Sequence, residues 1–401
     1  MSRMQRATSS AILVLNGGSS SIRFAIAHAD GLQRLRRGRL GGVGTGNAHL
    51  DIEAREGVPS TRVEMSGRDH AEAIASLFDW IDVEDGLPTI AAAGHRVVHG
   101  MRHFEPERVT PALLDELRGI TATDPDHLPV ELAMIDGVSR SRPGLPQVAC
   151  FDTLFHRDLP RVAATLPIPR RLEAQGVRRY GFHGLSYTWL METLGRVDGQ
   201  ASEGRVILAH LGGGASLAAV REGRCIDTTM SFTPTAGLVM GTRSGDLDPG
   251  LGPYLHRTAG MTVEQFQTMI NHESGLLGVS ETSGDMQKLL ALEASDPRAA
   301  EAVALFCYQA SKGIGAFAAV LGGLDTLVFS GGIGETSSVV RSRICERLRF
   351  LGVELDPARN EGDADVISTG GGAVTVRVIR TDEEHVIARA VRDVLGSEIT
   401  P

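Results

Sequence analysis

Apolar residues along the chain fall into two kinds of stretch. Short apolar runs typical of buried strands occur within residues 11–27, 90–100, 147–152, 206–220, 325–330 and 374–380. Apolar residues at helical spacing occur within 69–83, 111–120, 128–138, 263–271, 285–293, 298–321 and 385–395. The segment 179–186 is predicted to be a turn that opens a helix running to about residue 197, and the strand that begins at 325 leads into a glycine-rich turn ending at 335, with a helix entered near 338. Strands that alternate with helices predict an α/β protein. The segment 231–249 is rich in Gly, Pro and Thr and lacks a period, which predicts a long functional loop.

Two of the predicted strand pairs are joined by glycine-rich turns. The first turn reads Asn-Gly-Gly-Ser-Ser-Ser over residues 16–21, and the second reads His-Leu-Gly-Gly-Gly over residues 210–214. Such turns can aim backbone N–H groups and hydroxyls at one point, which suits a phosphate or a metal–phosphate complex. A single turn of this kind is more often an ordinary hairpin. Its recurrence predicts a duplicated fold that binds a nucleotide.

Composition narrows the class of protein. The 401 residues allow two or three domains, and the net charge of -9, with acids and bases interspersed, argues against a nucleic-acid partner. The four cysteines form no CxxC pair, which fits a reducing cytoplasm, and no apolar stretch is expected to span a membrane. The chain has only two lysines, Lys288 and Lys312, and neither is followed by Ser or Thr. The sequence therefore has no Walker A loop, and ATP must be bound in another way.

An ordered series of motifs resembles the acetate kinase family, which shares a superfamily with sugar kinases, actin and heat-shock ATPases. Each motif is weak alone, but the ordered set is specific. The matching segments are 16–21, 94–100, 151–156, 180–184, 210–214, 241–243 with 248–249, 274–280, 332–335 and 381–384.

The resemblance implies two domains, each built on a ribonuclease-H-like mixed-sheet core, with the active site in the cleft between them. We expect the first domain to comprise residues 1–152 and 386–401 and to hold the magnesium and carboxylate side. The second domain, residues 153–385, is expected to bind the nucleotide. The resemblance also implies a homodimer.

The activity implied is reversible phosphoryl transfer from ATP to acetate, giving acetyl phosphate and ADP. Within this class the alternatives are a propionate or butyrate kinase, or a kinase with another phosphoryl donor. A more distant alternative is a nucleotide-driven module like actin, which would not need the site arginines. A carboxylate is already ionised at neutral pH, so the site must chiefly align two anions and neutralise charge.

Four residues match the family's catalytic groups: Arg96, Arg243, His183 and Asp152. The arginines would neutralise charge on the phosphoryl group, since a guanidinium keeps its charge and presents fixed donors. His183 would donate to phosphoryl oxygens, and Asp152 would orient an arginine or a metal-bound water. Taken singly, each residue is more often structural, as a salt-bridged arginine or a satisfied core histidine.

The resemblance assigns binding roles to further residues. Asn16 and Glu383 would hold Mg²⁺, or Mn²⁺ in its place; without the resemblance Glu383 reads as a helix-start carboxylate. Acetate would contact Arg96 and His127 and an apolar pocket of Val98, Phe182 and Pro234. The nucleotide would contact Arg23, His210, Leu211, Gly212, Gly213, Gly214, Asp285, Met286, Gln287, Gly332, Ile333, Gly334, Glu335 and Thr336.

Several positions depart from the family pattern. Arg23 replaces a lysine, Gly213 an asparagine and Tyr187 a second histidine, while Met286 and Gln287 replace a Phe–Arg pair; these changes leave donor preference open. Asp126 stands where an apolar residue would wall the acyl pocket. An unpaired carboxylate beside a substrate carboxylate is costly, so Asp126 either turns outward, pairs with an arginine, or marks a substrate other than acetate.

Overall fold

The computed structural model describes residues 10–18, 20–54 and 59–399; Ser19 of the first glycine-rich turn lies outside the described residues. The chain divides into two compact units, Met1–Leu154 with Asp382–Pro401, and Phe155–Thr381. The sequence places the return to the first domain at residue 386. In the structure the C-terminal helix spans Glu383–Leu395. The predicted metal ligand Glu383 is therefore part of the first unit.

The first unit contains one eight-stranded mixed sheet. Its strands are β1 Ser10–Gly18, β2 Ser21–His28, β3 Arg34–Gly41, β4 His49–Ile52, β5 Thr61–Glu64, β6 Thr89–Val97, β7 Glu107–Arg108 and β8 Gln147–Phe151, in the order β5-β4-β3-β2-β1-β6-β8-β7. Strands β1 to β5 form an antiparallel meander. Strand β6 pairs in parallel with both β1 and β8. The carboxyl ends of β1, β6 and β8 therefore meet at one edge of the sheet.

Four helices cover this sheet: α1 His70–Val83, α2 Pro111–Gly119, α3 Leu128–Ser141 and the C-terminal helix. The amino end of α1 is capped by Asp69, and that of α2 by Thr110, whose side chains accept backbone N–H groups. The C-terminal helix packs on β1 and β6. This approach needs Gly94, since a Cβ there would lie 2.6 Å from a methyl group of Val391.

The second unit contains a five-stranded mixed sheet. Its strands are β9 Arg205–Leu211, β10 Ala215–Arg221, β11 Arg224–Thr228, β12 Thr326–Ser330 and β13 Thr375–Val378, in the order β11-β10-β9-β12-β13. Strands β9 to β11 are antiparallel, and β12 pairs in parallel with β9 and β13. This order matches β3-β2-β1-β6-β8 of the first unit. The predicted duplication of a ribonuclease-H-like core is confirmed by this shared topology.

Twelve helices complete the second unit as described. They are α4 Arg161–Ala164, α5 Arg170–Glu173, α6 Gly184–Val197, α7 Gly199–Glu203, α8 Leu251–Ala259, α9 Val263–His272, α10 Gly275–Ser280, α11 Met286–Leu292, α12 Pro297–Leu321, α13 Gly331–Thr336, α14 Ser338–Glu346 and α15 Pro357–Glu361. The segment 231–249 is a loop without helix or strand, as predicted.

Two expectations about the second unit need correction. Helix α12 is long and apolar enough to span a membrane by length and composition, although the sequence was expected to hold no such stretch. Its residues Val303, Phe306 and Ile314 are buried, and the helix packs on β10, as a core helix does. Second, residues 331–336 form a short helix and not an open turn, because the Glu335 carboxylate accepts the Gly331 N–H at its amino end.

Candidate functional site

Polar side chains gather where β1, β6 and β8 of the first unit end. Arg96 donates to Asp152 over 2.7 Å and to the amide oxygen of Asn16 over 3.4 Å. The amide nitrogen of Asn16 in turn donates to Glu383 over 3.2 Å. Four residues predicted from far-apart motifs are thus brought into one hydrogen-bonded cluster, which we call the first-unit cluster (Asn16, Arg96, Asp152 and Glu383).

Burial and charge oppose each other in the first-unit cluster. Asp152 is fully buried, and the side chain of Arg96 is 16% exposed. Burial alone would lower the pKa of Arg96, but Asp152 and Glu383 raise it overall, so the guanidinium stays charged. Burial raises the pKa of Glu383 despite the nearby Arg96. Arg96 therefore faces two carboxylates, Asp152 and Glu383, and the positive charge of Arg23 also acts on Glu383.

The donor set of this cluster fits a hard divalent cation. Asn16 and Glu383 both present oxygen atoms, which are the ligands that Mg²⁺ prefers. Among residues 10–18, 20–54 and 59–399, no group of three or more His, Cys, Asp or Glu side chains has a metal-binding arrangement. A cation held here would thus need water or phosphate oxygens to complete its shell, as Mg²⁺ commonly does.

A buried glutamate supports the end of β6. Val98 is 3% exposed, and its backbone N–H is held by both carboxylate oxygens of Glu131, at 3.2 and 3.0 Å. Glu131 is 1% exposed, and burial raises its pKa to about 8, although Arg96 and the Val98 N–H lower it. Sequence reasoning missed this residue. The signal was an acid on the apolar face of α3, three residues after Leu128 and four before Ile135.

The acidic stretch before α3 contains one buried and one half-buried aspartate. Asp126 is half-buried, whereas Asp124 is only 4% exposed and bonds to Nδ1 of His127 over 2.8 Å. The predicted acetate ligand His127 immediately precedes α3. The buried acid of this segment is therefore Asp124, which is paired with a histidine.

In the second unit, the ring of His183 contacts polar side chains from two strands, Ser216 of β10 and His210 of β9. It immediately precedes α6 with a φ of 59°, a left-handed conformation that is uncommon for a non-glycine residue and is often found at functional sites. Its Nδ1 bonds to the hydroxyl of Ser216 over 2.9 Å. Its ring stacks on His210, with centroids 4.3 Å apart. The ring is thereby fixed on one face and at one nitrogen.

The other nitrogen of His183 faces the second glycine-rich turn. A Cβ built on Gly214 would lie 3.2 Å from Nε2 of His183 and 3.7 Å from a guanidinium nitrogen of Arg243. Arg243 also donates to the carbonyl of Pro234 over 3.2 Å, and Gly241 N–H donates to Gly213 over 3.0 Å. The structure thus brings the predicted residues His183 and Arg243 and the turn 210–214 together within the second unit.

The two glycine-rich segments of the second unit also adjoin each other. A Cβ on Gly212 would lie 3.6 Å from the backbone nitrogen of Gly332. Gly331 has a φ of 75°, and a Cβ there would meet the Leu211 carbonyl at 2.7 Å, so only glycine fits. Glu335, a predicted nucleotide ligand, accepts the N–H groups of Gly331 and Thr381, both at 3.0 Å. Its carboxylate therefore shapes this segment.

The remaining predicted residues are placed as follows. Phe182 and Pro234 are buried in the second unit, and Val98 is buried in the first. Asp285 caps α11 by accepting the Lys288 N–H, Met286 is 4% exposed, and Gln287 is exposed. Arg23 pairs directly with Asn16 across β1 and β2 and is exposed. Leu211 and Gly334 are buried, Ile333 is half-buried, and Thr336 is exposed.

Comparison with known proteins agrees with this geometry. The model of the Acetokinase family matches residues 11–389. An acetate kinase of Rhodopseudomonas palustris is 46% identical over 396 residues, which cover 96% of this chain and 98% of that protein. A propionate kinase of Citrobacter rodentium is 40% identical over 394 residues, which cover 96% of this chain and 97% of that protein.

Solved structures give the same result. A propionate kinase from Francisella tularensis has a TM-score of 0.91 at 34% identity, over 96% of this chain and 100% of that one. The Porphyromonas gingivalis acetate kinase has a TM-score of 0.86 at 33% identity, again over 96% and 100%. Family model, relatives and structures all span almost the whole chain. The chain belongs to the acetokinase family.

Proposed function

We propose that the chain is an acetate kinase that transfers the γ-phosphoryl group of ATP directly to acetate. An acetate oxygen attacks the γ-phosphorus, the bond from that phosphorus to the β–γ bridging oxygen breaks, and ADP leaves; the reverse reaction uses acetyl phosphate. The observation that carries this proposal is the convergence of His183, Arg243 and the Gly214 turn, which presents an imidazole nitrogen, a fixed cation and bare backbone at one point. Such a set suits a phosphoryl group.

We propose that the first unit supplies the acceptor side. Arg96 would bind the acetate carboxylate, and Val98 would contact the methyl group together with Phe182 and Pro234 of the second unit. His127 would bound the same pocket. No general base is required, because a carboxylic acid with a pKa near ~4 is ionised at neutral pH. Asp152 then acts by holding Arg96, to which it bonds over 2.7 Å.

We propose that the second unit supplies most of the donor side. The residues His210, Leu211, Gly212, Gly213 and Gly214 would follow the ATP phosphates, with Arg23 of the first unit contributing positive charge. The segment Gly332, Ile333, Gly334, Glu335 and Thr336 would contact the adenosine, with Asp285, Met286 and Gln287. The buried side chain of Met286 supports a packing role and the exposed Gln287 a direct contact.

We propose that Asn16 and Glu383 hold Mg²⁺, with Mn²⁺ as a substitute. When bound, the ion would neutralise phosphate charge. The support is the pair of oxygen donors beside a carboxylate cluster that has a single guanidinium. In this arrangement Glu383 must be ionised to bind the ion, so metal binding would release its proton.

The proposal is tested by trapping the acyl phosphate as a hydroxamate. Purified protein is incubated with MgATP and acetate, propionate, butyrate or formate, and ADP release is measured in parallel. We expect the highest kcat/KM with acetate, and GTP and pyrophosphate in place of ATP test the donor. ATP hydrolysis without any hydroxamate would contradict carboxylate kinase activity and favour a nucleotide-driven module.

Propionate is the second candidate acceptor. It is favoured by the propionate kinases of Citrobacter rodentium and Francisella tularensis among the similar proteins. One extra methylene in an apolar pocket changes binding by about 1–3 kcal/mol, so the two acids should differ by roughly 10-fold or more in kcat/KM. The same acid panel therefore decides between them.

We also propose that the protein is a cytoplasmic homodimer. Helices α8 and α9 bury none of their residues within the unit, and Leu247, Tyr254 and Val263 are exposed by 44%, 54% and 78%. Light scattering after gel filtration should give twice the chain mass of 42.7 kDa for the wild type and a monomer for Tyr254→Glu. A dimer that survives this change would move the interface elsewhere. The four free cysteines fit a reducing compartment.

A further inference from the structure

A buried hydrogen-bond chain ends at His183. The phenol of Tyr187 lies 2.5 Å from the hydroxyl of Ser216, which lies 2.9 Å from Nδ1 of His183. Tyr187 and Ser216 are fully buried, and His183 is 9% exposed. Tyr187 follows His183 by one turn of α6, and its backbone N–H donates to the His183 carbonyl over 3.0 Å. Helix α6 and strand β10 therefore hold the three side chains in a continuous series of hydrogen bonds.

The direction of this chain determines where the imidazole carries its proton. A serine hydroxyl has one proton to donate and can accept two hydrogen bonds. If Tyr187 donates to Ser216, the Ser216 proton is available to Nδ1 of His183, and the ring proton then lies on Nε2. Nε2 is the nitrogen that faces Gly214 and Arg243. An imidazole at that place can bind a phosphoryl oxygen only as a donor, so this direction is the productive one.

The stacking contact of the ring fixes its plane but not the position of its proton. His210 stacks on His183 with an angle of 23° between the rings, and Nδ1 of His210 is bonded to Ser186 over 2.8 Å. Stacking leaves both tautomers of His183 equally well packed. The contact between Ser216 and Nδ1 does distinguish them, because a hydroxyl that donates to Nδ1 leaves the ring proton on Nε2.

We propose that Tyr187, acting through Ser216, is a positioning residue that keeps His183 in the Nε2–H form with Nε2 towards the transferred phosphoryl group. The inference rests on the proposed function for its catalytic consequence. Tyr187 touches no substrate in this scheme. Its effect must appear in kcat and must pass through His183.

The test is a double-mutant cycle on kcat. We expect Tyr187→Phe, which keeps the ring and removes the hydroxyl, to lower kcat about 10-fold while KM for acetate and ATP changes less than about 2-fold. In the His183→Asn background the same change should have no further effect on the residual rate. Tyr180→Phe is the matched control, because Tyr180 is also buried and its hydroxyl donates to the Gly176 carbonyl over 2.8 Å.

Two results of this double-mutant cycle would overturn the inference. Either an unchanged kcat in Tyr187→Phe, or an equal loss in the wild-type and His183→Asn backgrounds, would show that the phenol does not act through His183. If Tyr187→Phe does not fold, the same double-mutant cycle is measured with Ser216→Ala, and the same loss of kcat through His183 is expected.

A spectroscopic measurement separates this inference from the proposed function. In protein with ¹⁵N-labelled histidine, the His183 signals are identified by their absence in His183→Asn. We expect the Nε2–H tautomer in the wild type and a mixture of tautomers in Tyr187→Phe. An Nδ1–H tautomer in the wild type would overturn the inference even if acetyl phosphate is made. Failure of every carboxylate in the hydroxamate assay would overturn the proposed function and leave this measurement valid.

Discussion

The two units share a strand order but differ in what their strand ends carry. In the first unit, the ends of β1, β6 and β8 carry Asn16, Arg96 and Asp152, and the cluster is ionic. In the second, the corresponding hairpin β9–β10 carries three glycines, and the following parallel strand β12 leads into Gly331. The first edge therefore presents a cluster of two carboxylates and a guanidinium, whereas the second presents glycine backbone with Arg243 and His183 beside it.

This difference shows how a duplicated core acquires two roles. Topology fixes where the hairpin and the parallel strands end, so any ligand must be met at those ends in either unit. Residue type then decides which chemistry is available there. Glycines let a phosphate approach the main chain, whereas buried carboxylates need cations. Substitutions at the two strand edges test this division of roles.

Removing Arg96 should have the largest effect. Arg96→Ala deletes the only guanidinium of the first-unit cluster and leaves the fully buried Asp152 without its partner at 2.7 Å. We expect kcat to fall by about 10³-fold or more, as for other arginines that neutralise a transferred phosphoryl group. The hydroxamate assay measures it, with circular dichroism to establish that the variant is folded.

Arg62→Ala is the control for Arg96, since Arg62 pairs with Asp51 at the exposed edge of the same sheet. It should retain full activity. Near-normal turnover of Arg96→Ala would contradict a catalytic role for the first-unit cluster and indicate a purely structural one.

Arg243→Ala should be the next most damaging change. Its guanidinium shares the Gly214 turn with His183, so part of the charge stabilisation would remain. We expect a loss of about 10²-fold in kcat with a smaller change in KM for ATP. Arg298→Ala, which removes an exposed ion pair with Glu281, should be silent. A change confined to KM would reassign Arg243 to ground-state binding.

Glu383→Gln should alter the metal requirement. The change removes the negative charge of one of the two proposed ligands and keeps a neutral amide oxygen, so the Mg²⁺ concentration for half-maximal rate should rise about 10-fold or more at saturating ATP. The neighbouring Glu384→Gln breaks the ion pair with Arg37, 3.2 Å away, and should leave the Mg²⁺ curve unchanged. Identical curves for both variants and the wild type would contradict a metal site in the first unit.

The smallest effect concerns stability and pH at Glu131. Burial raises its pKa from 4.5 to about 8, so between these values the folded protein binds more protons than the unfolded chain. The free energy of unfolding should therefore fall as pH rises through this window. Glu131→Gln should match the wild type at pH near ~5 and exceed it by on the order of 1–3 kcal/mol at pH near ~9.

Urea unfolding at both pH values measures this difference. Glu301→Gln, at an exposed position of α12, serves as the control and should shift stability equally at each pH. If Glu131→Gln shows no pH-dependent gain, the carboxylate is already ionised and stabilised by Arg96 and the Val98 N–H.

Local sequence pattern predicted most of the elements. Alternation of apolar runs and helical periods located α1, α3, β8 and α12 to within a few residues, because each buries one face or both. The hairpins around both glycine-rich turns were predicted for the same reason. The duplication is confirmed by the strand order, which no local pattern encodes.

The grouping of the first-unit cluster depended on resemblance alone. Asn16 and Glu383 are 367 positions apart in the chain, and no spacing rule brings them together. Glu131 and Ser216 were missed because each bonds to a group that becomes its neighbour only in the folded unit. Tyr187 was noticed as an unusual residue, but its partner across β10 was not accessible to sequence periodicity. The catalytic and binding roles stay predictions until the variants are measured.

The packing of the C-terminal helix on Gly94 has a consequence for biosynthesis. The sheet of the first unit is complete once residue 154 has been made, but Glu383 and the helix Glu383–Leu395 that packs on this sheet follow the whole second unit in the chain. On the ribosome, an apolar surface around Gly94 must stay uncovered while the whole second unit is translated. The first unit thus acquires the proposed metal ligand Glu383 only after the second unit has been translated.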